Sequence, residues 1–398
     1  MKDLDLATLA VHSGAKAELP DGTPSSAPIF NAVTYSHETA QALEGIFAGS
    51  RRGYVYSRFA NPTVATLELA VAKLERTEAA VACASGMAAL HIALLAAGAR
   101  TASILLTAQD LYGGTLALLE RVLIPQGIIV NRVDMSDTTA VASAIERAHP
   151  DILLLETISN PLLKVADLPA LTRLAHCSGA NVVVDNTFAT PCLVRPADFG
   201  VDYVVESATK YLGGHGDVMA GLIAGSEKAC HGALEVLKLV GSVLGPNEAW
   251  LLLRGLKTLV VRIRQQCRNA ALVAQFLASH PRVKRIYYPG SPTHPHYVRC
   301  RNLFASDLYG AVVSFEIAGA TQDDIFRFMD ALQIVAPATS LGDVTSLLLY
   351  PAQSSHRALS EQERLQLGVG PNLVRLSVGI EAPSDITRDL ARALRLSA

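Results

Sequence analysis

The sequence has little of what marks disulfide-rich, metal-binding or nucleic-acid-binding proteins. Its six cysteines are scattered over 398 residues without a C-x-x-C pair, and no histidines cluster with them in a spacing typical of zinc sites. Charged residues make up 18% of the chain, the formal net charge is -2, and there is no basic run. Because nucleic acid and anionic membranes bind concentrated positive charge, we expect neither as a partner. We expect reduced thiols, a cytoplasmic location and no bound metal.

Long apolar runs are also missing. No stretch reaches the roughly 18 consecutive apolar residues of a membrane-spanning helix, and the first residues do not resemble a signal peptide. The G-x-x-x-x-G-K-[ST] pattern of nucleotide triphosphatases is absent too.

The composition is that of a globular protein, with 50% hydrophobic residues, and the chain is too long for one ordinary core. We predict a loop-rich N-terminal arm at 1–60, a cofactor-binding domain at 61–255 and a C-terminal domain at 256–398.

In the first domain, apolar segments typical of strands alternate with segments of helical spacing. Strands that are apolar throughout and joined by helices form largely parallel sheets covered on both faces, so we predict an α/β fold of this kind. Ligands of such sheets bind beyond the carboxyl ends of the strands. The predicted strands lie at 80–83, 103–106, 151–155, 181–184, 201–205 and 222–224, and helices at 63–76 and 168–175. The polar residues that follow these strands include Asn160, Asp185, Ser207, Thr209 and Lys210.

Lys210 lies just past the strand predicted at 201–205 and before a glycine-rich turn. In a dry cleft the pKa of a lysine ammonium falls, and the neutral amine becomes a nucleophile toward carbonyl groups, as a Schiff-base lysine requires. The alternative is an ordinary surface lysine, and this stretch alone fits both interpretations. Asp185 follows three valines, where a carboxylate is either paired or functional.

Two further segments offer ligands for an anion or a flat ring. A helix predicted to open at Ser85 and Gly86 would present free N–H groups, including that of Met87, to an anion. Capping alone is the alternative explanation for the serine. Tyr112 precedes two glycines after a strand and is either a platform for a ring or a partly buried turn residue.

Tyr56 and Arg58 precede a helix start at Asn61 and Pro62 and would point to the same side of an extended chain. An arginine fork suits phosphate or carboxylate, although a surface arginine is the simpler reading of this pair alone. A Schiff-base lysine, a buried aspartate one strand away, an aromatic platform and several phosphate donors together describe a pyridoxal phosphate site.

In that site Asp185 would keep the ring nitrogen protonated and Tyr112 would stack on the ring. Lys210 would bind the cofactor covalently and then move protons. The phosphate would be held by Gly86, Met87, Ser207 and Thr209.

Motifs along nearly the whole chain resemble the Cys/Met-metabolism family of fold-type I pyridoxal phosphate enzymes, which includes cystathionine γ-lyase, cystathionine γ-synthase, methionine γ-lyase and the homoserine-ester sulfhydrylases. The resemblance implies that Tyr56 and Arg58 reach the cofactor phosphate of a neighbouring subunit, in a dimer usually paired into a tetramer. It also implies that Arg375 binds the substrate α-carboxylate, and that Ser340 and Asn160 help to hold the carboxylate and the ring. The motifs are YSRFANPT, ASGMAAL, DLYGGT, ETISNP, VVVDNTF, SATKYLGGHGDVMAG, RGLKTL and VRLSVGIE.

The C-terminal part has the pattern of an α+β domain. Arg375 lies in one of its strands with apolar neighbours on each side, where it is either a half-buried structural salt bridge or a free guanidinium facing the domain cleft. Strands are predicted at 283–287, 311–315 and 373–378, and helices at 255–277, 321–332 and 386–396, the first of them bridging the domains.

The resemblance leaves the exact reaction open. Thr339 stands where cystathionine enzymes of the γ type usually carry a glutamate, and Gly114 where most methionine γ-lyases carry a cysteine. Tyr350 stands where a histidine often precedes the proline. We expect γ-elimination on a sulfur amino acid such as methionine, homocysteine or cystathionine, giving 2-oxobutyrate, ammonia and a thiol, with Tyr112 as the acid for the leaving group. The alternatives are γ-replacement on an O-acyl-homoserine and a non-catalytic protein that binds pyridoxal phosphate.

Overall fold

The computed structural model describes residues 24, 26–304, 307–357 and 359–396, so most of the first 25 residues of the predicted arm lie outside it. A seven-stranded sheet dominates the first part of the chain. Its strands are Ala79–Cys83 (β1), Ile104–Ala108 (β2), Ile129–Val133 (β3), Ile152–Glu156 (β4), Asn181–Asp185 (β5), Tyr203–Glu206 (β6) and Gly221–Gly225 (β7).

The strand order is β1-β7-β6-β5-β4-β2-β3. Strands β2 to β6 are parallel, and only β7 runs against its neighbours. The predicted mainly parallel sheet is therefore confirmed. Strand β3 has no counterpart in the sequence prediction because it is an edge strand with largely exposed residues, so it needs no apolar run.

Helices cover this sheet, and two of them begin as the sequence predicts. Asn61 accepts hydrogen bonds from the N–H groups of Thr63 and Val64 and starts the helix at Pro62. Ser85 caps the helix that opens at Gly86. The helices are Ala40–Phe47, Pro62–Glu75, Gly86–Ala96, Gly113–Leu118, Thr138–Ala148, Leu168–Cys177, Thr190–Leu193, Glu227–Val240 and Pro246–Leu256, with a π-helical turn at Leu119–Leu123 and 3₁₀ turns at Ile124–Gln126 and Pro196–Phe199.

A five-stranded sheet forms the C-terminal part. The strands predicted at 283–287, 311–315 and 373–378 are present, whereas the short strands at 336–337 and 347–349 were not predicted. Its strands are Val283–Tyr287 (β8), Val312–Ile317 (β9), Ala336–Pro337 (β10), Leu347–Leu349 (β11) and Leu373–Ser377 (β12). They are ordered β10-β11-β12-β9-β8, and every pair is antiparallel except β10–β11. Its helices are Leu259–Ser279, Tyr297–Leu303, Gln322–Asp330, Glu361–Gln366 and Pro383–Leu396, with a 3₁₀ turn at Pro351–Gln353.

The long helix predicted at 255–277 is present as Leu259–Ser279, but its predicted start is wrong, because the helical hydrogen bonding is interrupted between Leu256 and Leu259. The Gly255 carbonyl, which a continuous helix would bond to Leu259, instead accepts hydrogen bonds from Thr258 and Arg262. The side chain of Arg262, 4% exposed, thus occupies the break.

The helix Leu259–Ser279 does bridge the two parts of the chain. Its first half packs Leu259 and Ile263 into the core around the large sheet, and its second half packs Val273 and Leu277 into the core of the small sheet. Among the described residues no helix is both long and apolar enough to cross a membrane.

Candidate active site

A cavity of about 440 Å³ lies at the carboxyl ends of β4, β5 and β6, where the C-terminal part closes over the large sheet. This is the place where a parallel sheet binds ligands. It brings together the predicted site residues except Tyr56, Arg58 and Ser340, which are not among the lining residues. The lining includes Ser85, Gly86, Met87, Tyr112, Asn160, Asp185, Ser207, Thr209, Lys210, Thr339 and Arg375, together with residues that sequence reasoning missed, namely Leu90, Glu156, Ile158, Thr187, Phe188, Met219, Leu341, Leu349, Ser354 and Ser355.

Lys210 lies in the turn that follows β6. The turn is fixed by the hydrogen bond from the Lys210 N–H to the Ser207 carbonyl (3.0 Å) and by two bonds between Thr209 Oγ1 and the backbone of Ala220 (2.9 and 3.2 Å). Lys210 Nζ donates to Ser340 Oγ at 3.1 Å. Burial, and then the charge of Arg375, lower the pKa of Lys210. Both effects favour the neutral amine that a nucleophile needs.

Asp185 and Glu156 are register partners at the ends of β5 and β4, so both carboxyls face the same side of the sheet. Asp185 Oδ1 accepts from the Thr187 N–H at 2.9 Å, while burial raises the pKa of Asp185. Glu156 Oε1 accepts from the Tyr112 N–H at 2.6 Å. Burial and the charge of Asp185 raise the pKa of Glu156 well above its usual value. The sequence held the same signal for both acids, since each ends an apolar strand.

The helix Gly86–Ala96 points its N-terminus into the cavity. Ser85 Oγ accepts from the Ala88 N–H at 3.1 Å, and the N–H groups of Gly86 and Met87 have no acceptor inside the helix. A Cβ at Gly86 would lie 2.7 Å from the Cβ of Ser207, so a glycine is required for this close approach. Thr187 Oγ1, in turn, accepts from the Ser207 N–H at 2.8 Å.

Arg375 lies in β12 and is 3% exposed. Its Nη1 donates to Asn160 Oδ1 at 2.9 Å and its Nη2 to the Ser340 carbonyl at 3.1 Å, while its Nε has no partner among the described residues. These partners are neutral, which contradicts a structural salt bridge within the described chain. Burial lowers the pKa of Arg375 to about 10, so the side chain is still a cation at neutral pH.

Tyr112 forms the outer rim of the cavity and is 45% exposed. A Cβ at Gly114 would lie 2.4 Å from Cε1 of the Tyr112 ring, and one at Gly113 would lie 2.1 Å from the Ser355 carbonyl oxygen. Gly113 therefore lets this turn pack against Ser355, which also lines the cavity, and Gly114 leaves room for the ring of Tyr112.

Tyr56 and Arg58 are not among the residues that line the cavity of their own chain. Arg58 donates to the Lys238 carbonyl, and its guanidinium lies 4.8 Å from the Phe59 ring centroid. Their assignment to the cofactor of a neighbouring subunit stays a prediction. No group of three or more histidine, cysteine, aspartate or glutamate side chains that could hold a metal occurs in the described ranges.

A mainly parallel sheet with a lysine just past one strand and an aspartate at the end of the next is typical of fold-type I enzymes that use pyridoxal phosphate. The chain belongs to the Cys/Met metabolism PLP-dependent enzyme family, whose model matches residues 7–395.

Relatives at 37–40% identity cover nearly all of the chain. L-methionine gamma-lyase of Fusobacterium nucleatum subsp. nucleatum is 40% identical over 99% of both chains. O-succinylhomoserine sulfhydrylase of Pseudomonas aeruginosa is 38% identical over 97% of this chain and 94% of its own. The crystal structure of cystathionine gamma-lyase from Lactobacillus plantarum, complexed with L-serine, superposes with a TM-score of 0.86 at 37% identity, covering 93% of each chain.

The residues of the cavity fit pyridoxal phosphate. The amine of Lys210 is available for a covalent link, and the carboxyl of Asp185 for the ring nitrogen. The glycine-led helix N-terminus and the Ser207 hydroxyl, pressed against each other at Gly86, supply donors of the kind a phosphate requires.

Proposed function

We propose that this enzyme catalyses γ-elimination on a sulfur amino acid whose γ-substituent is uncharged, such as methionine or homocysteine. The observation that carries the proposal is the position of Ser340. Its hydroxyl accepts from Lys210 and its carbonyl from Arg375, so a base and a carboxylate-binding cation meet at one residue. An amino acid held by its carboxylate at Arg375 would have its α-carbon next to Lys210.

Each residue has one proposed task. Bound pyridoxal phosphate withdraws electrons from the α-carbon, which makes the α- and β-protons of the amino acid acidic. Asp185 holds the proton on the ring nitrogen, and Lys210 takes the α-proton while Ser340 Oγ fixes the position of its amine. The free Nε and the two Nη atoms of Arg375 bind the α-carboxylate. Tyr112, at the rim, protonates the leaving sulfur.

The charge inventory of the cavity supports an uncharged γ-substituent. The described lining carries four ionisable side chains, and each already has a task or a close partner. These are Lys210, Arg375, Asp185 and Glu156. Among the described lining residues no further charge is left for the distal ammonium of cystathionine or for a succinyl carboxylate. The remaining wall offers apolar and hydroxyl groups, from Phe188, Met219, Leu341, Leu349, Ser354 and Ser355.

Gamma-replacement on an O-acyl-homoserine is the second candidate. The O-succinylhomoserine sulfhydrylase relative is 38% identical, almost as similar as the 40% identical L-methionine gamma-lyase. Both reactions would use the same Lys210, Asp185 and Arg375. The hypothesis of a non-catalytic protein loses its basis, because the family consists of enzymes.

We also propose that the active unit is at least a dimer, and that two dimers form a tetramer. Arg58 and Tyr56 lie away from their own cavity, which leaves them available to a neighbouring one. Close to the Lys238 carbonyl bonded by Arg58, Leu239 is 88% exposed and Val240 50% exposed, as residues of an interface between subunits would be in one isolated chain. The six free cysteines support a cytoplasmic location.

The test is 2-oxobutyrate release by the cofactor-loaded protein. Substrates are L-methionine, L-homocysteine, L-cystathionine, O-acetyl-L-homoserine and O-succinyl-L-homoserine, each with and without added thiol. Keto-acid from methionine or homocysteine without thiol is the expected result, and Lys210→Ala is the control that abolishes it. Turnover of the homoserine esters alone, diverted by thiol into a new amino acid, would establish γ-replacement instead. A strong preference for cystathionine would contradict the charge inventory.

A further inference from the structure

The strand ends that carry the site have a second polar layer on their other face. Neighbouring residues of a strand point to opposite faces, so the residue next to each site residue faces away from the cavity. Glu156, Asp185 and Ser207 face the cavity. Their sequence neighbours form the rear layer, which is buried: Thr157 and Asn186 are 0% exposed and Glu206 is 1% exposed.

Hydrogen bonds connect part of this layer. Thr157 Oγ1 donates to Asn186 Oδ1 at 2.8 Å, and Asn186 Nδ2 donates to the Val194 carbonyl at 3.2 Å. Glu206 contacts the carboxyl of Glu75, which is the last residue of the helix Pro62–Glu75. The side chain of Glu75 is also buried, at 1% exposure. The amide of Asn186 lies nearby, yet none of the four carboxyl oxygens of Glu75 and Glu206 has a hydrogen-bond donor of good geometry among the described residues.

Two buried carboxylates in contact cannot both keep their charge, because burial and mutual repulsion each favour the protonated form. The charged or titratable groups around them do not remove this conflict. Asp185 adds negative charge near Glu206, whereas Asp198, Cys192 and the cation Arg195 lie near Glu75. Arg195 directs its Nε to the Leu74 carbonyl at 2.8 Å.

A proton between the two carboxyls satisfies two oxygens and removes one charge. Burial raises the pKa of Glu75 to about 7, and burial together with the charge of Glu75 raises the pKa of Glu206 well above its ordinary value. The pair therefore keeps a proton through the neutral range.

We propose that Glu206 is a positioning residue for the cofactor: it shares one proton with Glu75, and this bond fixes the point at which β6 passes into Ser207 and Lys210. The inference rests on the roles proposed above for Ser207 and Asp185. When the shared proton is lost, two buried negative charges repel each other, the helix Pro62–Glu75 and the end of β6 separate, and Ser207 moves relative to the helix N-terminus at Gly86.

The test compares wild type with Glu206→Gln. A glutamine amide donates to the Glu75 carboxylate without a titrating proton, so it keeps the bond at every pH. The measured quantity is the dissociation constant of pyridoxal phosphate, from absorbance titration of the apo-protein between pH 6 and pH 9. We expect wild type to lose about tenfold more affinity than Glu206→Gln across this range, the equivalent of one pKa unit of interaction. Parallel profiles for the two proteins would overturn the proposal.

Glu68 provides a matched control on the same helix. Burial raises its pKa to about 7 as well, but Glu68 Oε1 accepts from the Ala82 N–H at 2.9 Å, on β1 and away from the cavity lining. Glu68→Gln should change how thermal stability depends on pH and leave the cofactor profile as in wild type. If Glu68→Gln flattens the cofactor profile as well, the effect is one of general stability and Glu206 has no positioning role.

Two features make this test independent of a folding failure and of the proposed γ-elimination. If Glu206→Gln does not fold, Glu75→Gln replaces it, because the new amide donates to the carboxylate of Glu206, and we expect the same flat profile of cofactor affinity against pH. Cofactor affinity is measured without substrate, so a failure of the proposed γ-elimination leaves the outcome unaffected.

Discussion

The two walls of the cavity are built in different ways. On one wall, Asp185 ends β5, and Ser207 and Lys210 follow the neighbouring parallel strand β6, so the register of the sheet fixes their spacing. On the other wall, Thr339 and Ser355 lie in loops between the short strands of the C-terminal sheet. Regular structure thus holds the wall proposed to bind the cofactor. The wall proposed to bind the substrate takes Arg375 from β12 and Leu349 from β11, and the rest of it consists of loops held by a few long-range hydrogen bonds. The chemistry is expected to resist change more than the choice of substrate.

The largest effect is expected on the wall formed by Asp185, Ser207 and Lys210, here called the sheet wall. Lys210→Ala removes the proposed base and covalent link, and should lower kcat/KM by more than about 10⁴-fold. Keto-acid release and the visible absorbance of the bound cofactor are measured together, and both should be lost while the melting temperature of the apo-protein is retained. Activity above one per cent of wild type would show that another group does the work of Lys210.

Arg375→Leu tests the opposite wall, which includes Thr339, Ser355 and Arg375 and is here called the loop wall. It removes a buried cation and leaves Asn160 Oδ1 and the Ser340 carbonyl without their donor. We expect kcat/KM to fall by about 10²- to 10³-fold, mainly through KM, as is typical when a buried charged hydrogen-bonding group is lost. The cofactor absorbance should stay. Arg388→Ala, at an exposed arginine paired with Asp385, is the control and should behave as wild type.

Arg262 anchors the turn that carries Lys210 to the break before the helix Leu259–Ser279, and its removal should show how far the wall of Asp185, Ser207 and Lys210 depends on this contact. Its guanidinium donates to the carbonyls of Tyr211 (2.8 Å) and Gly255 (2.9 Å), next to Lys210 and at the helix break. Arg262→Met leaves these carbonyls buried without a donor and should cost about 3 kcal/mol of the free energy of unfolding. Urea denaturation measures the loss, and Arg262→Lys should restore part of it. An unchanged midpoint would mean that water replaces the guanidinium.

Ser340→Ala should separate the two roles of one residue. The hydroxyl that accepts from Lys210 is lost, whereas the carbonyl that accepts from Arg375 is kept. We expect kcat to fall about threefold to tenfold, the equivalent of one ordinary hydrogen bond, with KM little changed. Steady-state kinetics at saturating substrate give the answer. A rise in KM without a change in kcat would place the serine hydroxyl on the substrate instead.

The smallest effect concerns acid pH and the loop that carries Asn160. His296 Nδ1 accepts from the Val165 N–H at 3.0 Å, and burial lowers the pKa of His296 to about 4. The unfolded chain binds this proton more readily, so its contribution to stability is complete above about pH 6.5 and is lost as the pH falls toward 4. His296→Asn should reduce the acid-induced fall in melting temperature by about 2 °C. A scan from pH 7 to pH 4 on both proteins checks this.

The residues of the sheet wall could be predicted from the sequence, because the carboxyl ends of parallel strands lie at the same edge of the sheet. Lys210, Asp185 and Ser207 each follow an apolar strand, and such positions meet at one edge of a parallel sheet. Glu156 carried the same signal and could have been found in the same way. Strand β3 could not, because an exposed edge strand lacks the apolar pattern.

The loop wall depends on contacts between distant parts of the chain, which no local pattern reveals. The Ser355 carbonyl packs on Gly113, and Ser340 contacts both Lys210 and Arg375. The family resemblance, rather than any periodicity, pointed to Ser340 and Arg375.

The shared role of Ser340 divides the cavity into parts that can be redesigned and parts that cannot. Thr339 is joined to Ser340 by a peptide bond, so a bulky replacement there would disturb the contacts of both Lys210 and Arg375. Ser354 and Ser355 also face the cavity, but their hydroxyls bond locally, to the Tyr350 carbonyl and to His356. A library that varies these two serines can explore new leaving groups while the catalytic machinery stays constant, which also makes them the positions where natural divergence of substrate range would meet least resistance.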